Sequence, residues 1–261
     1  VKITEDHSLF TRDGNGNPKA VFGKDLKVGD SVAVPHLIPF LEQPLEPFYL
    51  SDKLTEKSGI SVVSEKVVSY LEQFPEKIRQ YLSEKGVTPR HCYCKVKRYE
   101  TANKFPLDLW NYLDLPWSEK DKIVPPYSKK AINNYLKDTS SFLWFLGFYL
   151  AKGCLINSDS DKQLLFSSNV KYLEKLIEIA KELFGLDSEI RYDKAGKRSP
   201  SVHIRSKIIV DLVVNAFGFG DELSMEKDIP DWILQLPKEQ LVFFLQGFWA
   251  GDGNHDAKTT D

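Results

Sequence analysis

Three cysteines in 261 residues, Cys92, Cys94 and Cys154, are too few and too unevenly spaced for a disulfide framework. A reducing cytoplasm is therefore the expected compartment. His91-Cys92-Tyr93-Cys94 offers zinc-ligating residue types, but no matching pair follows at a useful distance, and buried or half-exposed thiols are the simpler reading. No apolar run reaches the ~20 residues needed to cross a bilayer, so no membrane partner is expected. Neither charge is in excess: 35 basic against 37 acidic residues leave a net −2. That balance excludes a uniformly cationic surface and leaves room for a local basic patch. No initiator methionine stands before Val1-Lys2-Ile3-Thr4, no signal-peptide pattern follows it, and no closing element precedes Asp261. A fragment of a longer chain, truncated at both ends, is expected.

What is present is a globular composition, 42% apolar and 28% charged, organised around one phrase used twice. The phrase reads Phe145-Leu-Gly-Phe-Tyr-Leu-Ala-Lys-Gly153 and again Leu245-Gln-Gly-Phe-Trp-Ala-Gly-Asp-Gly253. Each copy holds a small-xxx-small pair, Gly147/Ala151 and Gly247/Gly251. At helical spacing such a pair lies on one face and lets two backbones approach closely. In each, a polar residue, Lys152 or Asp252, is followed by a glycine that can supply a left-handed helix stop. Two such helices packed small face to small face would bring positions 152 and 252 side by side. An aspartate in a last turn opposes the helix macrodipole, and a divalent cation between the helix ends would give Asp252 a reason to be there.

These two stretches resemble the LAGLIDADG (DOD-type) motif of homing endonucleases, which carry it twice. The resemblance implies that Asp252, matching the family's acid, is catalytic and holds the magnesium or other divalent cation that hydrolyses double-stranded DNA. Lys152 stands where the family has its second acid. A salt bridge to Asp252 is expected there instead, with impaired cleavage unless another carboxylate such as Asp159 substitutes. Lys227, in Lys227-Asp-Ile-Pro230, also matches the family's pattern, where this lysine approaches the reacting phosphate.

Residues 1 to about 40 read as β, with Val1/Ile3 and Val32/Val34 alternating and turns at Gly14–Pro18 and Gly29-Asp30. Thr4-Glu-Asp-His7 and Leu26-Lys-Val-Gly-Asp-Ser-Val-Ala-Val-Pro35 resemble two pieces of the intein (Hint) splicing domain, as in archaeal DNA polymerase inteins. The resemblance implies that His7 protonates the departing amine in the N-terminal acyl shift and that Thr4 helps hold the scissile peptide. A histidine suits that work because it donates and accepts protons near neutrality. Splicing would need no cofactor, and host exteins would be covalent partners. The family's first-residue nucleophile and terminal His-Asn would lie outside the stretch 1–261.

Residues 41–140 read as a spacer or small helical module. A helical pattern from Ser64 to Glu84 is broken by Pro75 and stopped by Gly86, a short basic run covers Lys95–Tyr99, and Pro125-Pro126 marks a boundary. From Ser141 to Phe217 the pattern is α-β-β-α-β-β-α, the order of one LAGLIDADG repeat, with a second repeat beginning at about 238. In the hairpin 189–205, Ile190, Tyr192, Val202 and Ile204 are expected inward and Arg191, His203 and Arg205 outward. With Lys194, Lys197 and Arg198 in the connecting loop, and Lys207 just beyond, this ribbon is the expected DNA-contacting surface, a solvated sheet face being the alternative. The fold class is α+β: a β-rich splicing-domain fragment (1–40), the spacer (41–140) and an endonuclease domain (141–261), expected as a monomer. Two other readings stay open. One is a DNA-binding protein on a catalytically degenerate LAGLIDADG scaffold, and the other is a free-standing homing endonuclease.

Overall fold

The computed structural model describes residues 8–32, 41–126, 128, 130–157, 162–193, 195, 197–220 and 228–253. The chain divides into two compact units between Leu41 and Glu42. In the first, β1 (Ser8–Arg12) and β2 (Pro18–Phe22) pair antiparallel with Phe10 opposite Ala20. Asp13 closes the turn by accepting the amides of Asn15 (2.9 Å) and Asn17 (2.8 Å) on one carboxylate oxygen. The Asn17 bond is the larger of the effects that hold this carboxyl below its usual range. The expected turn at Gly29-Asp30 forms, the Lys27 amide donating to Asp30 Oδ2 at 2.7 Å. No strand includes Val32, and Val1, Ile3 and Val34 lie outside the described residues. None of the described residues of this unit is buried, Phe10 and Phe22 being 57% and 50% exposed. So short a piece has too little apolar surface to make a core alone.

The second unit begins with β3 (Phe48–Tyr49) and α1 (Leu50–Lys53). Then come β4 (Ser61–Val63), α2 (Val67–Gln73), α3 (Pro75–Glu84), α4 (Pro89–Ala102), β5 (Lys104–Pro106) and α5 (Leu107–Tyr112). Strands β6 (Lys122–Val124), β7 (Ile132–Asn133) and β8 (Tyr135–Leu136) close this part. Pro75 separates α2 from α3 by occupying the first turn of α3, where its missing N–H is no loss. Gly86 adopts φ +73° just beyond. The basic run at 95–99 lies on α4, which buries Tyr99 and exposes Lys95, Lys97 and Arg98. One antiparallel sheet has the order β5-β4-β6-β7, and β3 pairs with β8.

Residues 42–140 belong to the same compact unit as the residues after them, which runs on across the boundary expected at Pro125-Pro126. Phe48 packs its ring on Phe142 at 5.8 Å, and Asn133 donates to the Leu183 carbonyl at 3.4 Å. Buried Asn134 is satisfied by the Ser51 amide (2.9 Å) and hydroxyl (3.1 Å).

Next come α6 (Thr139–Lys152), β9 (Gly153–Asn157), β10 (Lys162–Ser167), α7 (Val170–Phe184), β11 (Ile190–Arg191), β12 (Ser201–Arg205) and α8 (Lys207–Asp211). Asp138 caps α6 by accepting the Ser141 amide at 3.0 Å, and Asn169 caps α7 through the Lys171 amide at 3.1 Å. Gly185 ends α7 at φ +69°, a left-handed stop. The inner face of α7 buries Leu173, Leu176, Ile179, Ala180, Leu183 and Phe184, while Ile177 is only partly buried. The second sheet runs β11-β12-β10-β9, all antiparallel. Helix α8 continues as one π turn, Leu212–Ala216, ahead of Gly218 at φ +76°.

Asp211 latches α8 to residues 55–56, accepting the Thr55 amide (2.9 Å), the Thr55 hydroxyl and the Glu56 amide (3.3 Å). Burial pushes this carboxyl up, but the hydrogen bonds, Asn215 and Thr55 foremost, bring it below the usual range.

Two last helices, α9 (Asp231–Leu234) and α10 (Lys238–Asp252), complete the described residues. Gln240 holds the 43–45 strap against α10, accepting from the Leu45 amide (2.8 Å) and donating to its carbonyl (3.0 Å). Among the described residues no helix is long and apolar enough to cross a membrane. The core centres on α6, every residue from Phe142 to Leu150 being buried. A helix apolar all round has to be covered on all sides, and α6 is covered by α10, β10 and α7.

Candidate functional site: a glycine-seamed helix pair beside a basic sheet

Helices α6 and α10 touch backbone to backbone. A methyl group at Gly147 would collide with the Phe244 carbonyl oxygen, and one at Gly247 with the Trp144 carbonyl oxygen. Trp144 and Phe244 each stand three residues before their own glycine, so the contact is reciprocal and the helices are related by a local two-fold. Residues one hundred apart are then equivalent, and positions 152 and 252 must meet at the axis. They do: Lys152 Nζ lies 2.6 Å from Asp252 Oδ1. Gly251 keeps the ends close, since a side chain there would press on Ala151 and on Lys152 Cγ.

The glycines after these residues work differently from expectation. Gly153 (φ −75°, ψ 147°) and Gly253 (φ −63°, ψ 130°) are extended, not left-handed. Smallness is what each position requires, because a Cβ would strike the Tyr149 ring at Gly153 and the Trp249 indole at Gly253.

The pair is semi-exposed, with side chains 34% (Lys152) and 45% (Asp252) accessible. Solvent screening limits such a bridge to ~0.2–1 kcal/mol. Lys152 complements the negative end of its own helix, and its ammonium neutralises an aspartate that opposes the dipole of α10. A divalent cation of the magnesium or calcium kind is held by oxygen ligands, carboxylates foremost. Here the carboxylate expected to hold metal already accepts an ammonium. No group of three or more His, Cys, Asp or Glu side chains is placed to hold a metal ion among the described residues. The described residues at the helix ends do not fit a divalent cation as they stand.

The sheet places the second group of residues. Register puts His203 opposite Leu165 and Arg205 opposite Gln163, while Val202 and Ile204 point to the core. Gln163 Oε1 accepts from Arg205 Nε at 3.0 Å and meets His203 Nδ1 at 3.0 Å. An amide oxygen only accepts, so this contact requires the proton on Nδ1. Arg191, His203 and Arg205 share a cleft of about 340 Å³ with Lys130, Asp187 and Glu189. Tyr192, expected inward, is 65% exposed, because β11 ends at Arg191 and the alternation stops with it.

Lys197 and Arg198 are exposed, and their amides donate to Asp193 Oδ2 at 2.9 and 3.2 Å. The Lys197 bond is the chief cause of a lowered Asp193 carboxyl, so the loop keeps a carboxylate beside its cations. Thr4, His7, Asp159, Lys194 and Lys227 lie outside the described residues. The sequence reading missed Lys130, Lys162 and Gln163. Gln163 sits on β10 opposite Arg205, and only register brings it to the hairpin, while Lys162 precedes it on the same strand and pairs with Asn157 of β9.

The chain is similar to parts of much longer archaeal proteins. It is 23% identical over 265 residues to the DNA polymerase II large subunit of Haloquadratum walsbyi, covering 95% of this chain and 11% of that one. It is 32% identical over 110 residues to the same subunit of Thermococcus kodakarensis, covering 42% of this chain and 6% of that one. It is 30% identical over 140 residues to the DNA-directed RNA polymerase subunit Rpo1C of Methanocaldococcus jannaschii, covering 52% of this chain and 15% of that one. No family model matches the chain.

Proposed function

We propose that this chain is part of an intein: a splicing element, with Thr4 and His7 at its N-terminal junction, joined to a LAGLIDADG-type unit that binds duplex DNA and cuts it poorly. The observation that carries the reading is where its likenesses fall. The chain matches a small part of a DNA polymerase subunit and a small part of an RNA polymerase subunit. Polymerases with different products have no common need for such a segment, whereas an element that inserts into host chains and excises itself would be found in both. Host exteins are then its covalent partners before splicing.

Duplex DNA is the second partner. The reciprocal glycine contact supplies a rigid two-fold axis, and the sheet beside it presents Arg191, His203 and Arg205, with Lys197 and Arg198 in the adjoining loop. Guanidinium groups on an antiparallel ribbon can reach guanine edges in the major groove, and lysines can neutralise phosphates. Lys152 decides between binding and cutting: it supplies positive charge where hydrolysis needs acidic groups, and so favours a DNA-binding scaffold of low catalytic power.

The test is fluorescence anisotropy of a labelled 30-base-pair duplex with this chain, from 50 to 300 mM NaCl, beside a plasmid-nicking assay in magnesium. The expected outcome is salt-dependent binding with little cleavage. No binding at 50 mM NaCl would sink the DNA reading, and rapid double-strand cleavage would sink the role given to Lys152.

A further inference from the structure

A second cleft, of about 240 Å³, adjoins the one that holds Arg191 and His203 and shares Lys130, Leu186 and Arg205 with it. Four cationic side chains line it, Lys130, Lys162, Arg205 and Lys207, together with Ser128 and Ser206, and no carboxylate does so among the described residues. They come from four separate places: the loop before β7, the start of β10, the end of β12 and the first residue of α8. Four carboxylates line the adjoining clefts, Asp187, Glu189, Glu56 and Asp211, and two of them are engaged elsewhere. Asp187 pairs with Lys181 at 3.2 Å, and Asp211 is held by Thr55, Glu56 and Asn215. Among the described residues none of the four cations is within ion-pair distance of an acid.

Like charges gathered around one concavity repel one another, and an anion of high charge density relieves that repulsion. Arg205 is also oriented before any ligand arrives, since Gln163 fixes its Nε at 3.0 Å. A guanidinium held in this way matches the oxygens of a tetrahedral oxyanion better than a free one.

We propose that this cleft is a phosphate-binding subsite, and that it seats a backbone phosphate of the duplex lying across the neighbouring sheet face. The proposal rests on the DNA-binding reading above and extends it to lysines outside the hairpin. The cleft fixes the register of the duplex through its backbone, so of the two sheet arginines Arg191 is the one left to reach base edges.

The experiment compares the unaltered chain, the double variant Lys130→Ala/Lys207→Ala and the conservative Lys130→Arg/Lys207→Arg. Duplex binding is measured by anisotropy between 50 and 300 mM NaCl, and inorganic pyrophosphate binding to the DNA-free chain by calorimetry. Lys130 and Lys207 are exposed, so thermal melting should not change. The expected result is that the alanine variant loses about 0.9 from the log–log salt slope, the share of one phosphate contact. The arginine variant should keep the slope, and pyrophosphate should bind the unaltered chain and not the alanine variant. Duplex binding with the same slope in all three proteins overturns the subsite and leaves the DNA reading intact. Pyrophosphate binding that the alanine variant loses, without any duplex binding, overturns the DNA reading and leaves an oxyanion site. Binding of neither ligand overturns both.

Discussion

Helices α6 and α10 carry the same phrase and make the same contact, yet one is sunk in protein and the other is half bare. Phe142, Phe145 and Tyr149 are fully buried, whereas their equivalents one hundred residues on, Val242, Leu245 and Trp249, are 42%, 50% and 60% exposed. The inner faces match: Trp144 is 3% exposed and Phe244 1%, each supplying the carbonyl that roofs the other helix's glycine. What differs is how far the described elements cover each outer face. After α6 come β10 and α7, whose Phe166 and Phe184 lie 5.7 and 5.5 Å from the Phe145 ring. Leu245 has no such cover among the described residues. The phrase itself therefore encodes the seam, and burial of the outer face is conferred by neighbouring elements.

Two substitutions should separate those contributions most sharply. Phe145→Ala empties a buried position between two aromatic rings and should cost ~3–5 kcal/mol. Leu245→Ala, at the equivalent position, removes a side chain already half in water and should stay within ~0.5 kcal/mol. Urea midpoints read both. A Leu245→Ala cost comparable to that of Phe145→Ala would mean that the face of α10 is covered after all and that the comparison fails.

At the seam the helices should behave alike. Gly147→Ala and Gly247→Ala each force a methyl into a carbonyl oxygen of the partner backbone, so each should cost ~1–3 kcal/mol, as overpacked sites do. Because the two contacts share one interface, separation forced by the first methyl makes room for the second. The double variant should cost less than the sum of the singles. Strict additivity in denaturant melts would mean that the glycines act independently and that the two-fold relation has no energetic content.

That seam was legible in the sequence because small-xxx-small pairs and their spacing are local patterns. The meeting of Lys152 with Asp252 followed from it. Helix α7 was legible for the same reason, its apolar stripe running from Val170 to Phe184 with Gly185 to end it. Less was visible wherever a property depended on length or register. Tyr192 alternates correctly on paper but sits one residue past a strand of two. Gly153 has the composition of a left-handed stop, yet the Tyr149 ring requires only that it be small. Lys130 and Lys162 carry no local signal, since a lone lysine in a loop or at a strand end resembles any solvated lysine until tertiary structure gathers it with others. Residues 41–140 looked like a spacer because their strands are two or three residues long, too short for alternation to show.

The last test addresses the one position where the two phrases differ in charge. Lys152→Ala removes a semi-exposed bridge and should cost only ~0.2–1 kcal/mol. Lys152→Glu does more, because it sets a second carboxylate against Asp252 across the axis. At ~4 Å and an effective dielectric of ~20, like charges repel by about 4 kcal/mol. With Lys152 34% and Asp252 45% exposed, water reduces that to ~1 kcal/mol. The new carboxylate would also oppose the dipole of α6, a further ~0.3–1 kcal/mol that salt screens. The glutamate variant should therefore be less stable than the alanine variant at low salt and approach it at 0.5 M NaCl. Millimolar magnesium should raise the urea midpoint of Lys152→Glu alone, since only that variant has two acids to share a cation. If magnesium raises the midpoint of the unaltered chain as much, then Lys152 does not keep cations from Asp252, and the difference between the helix ends lies somewhere other than charge.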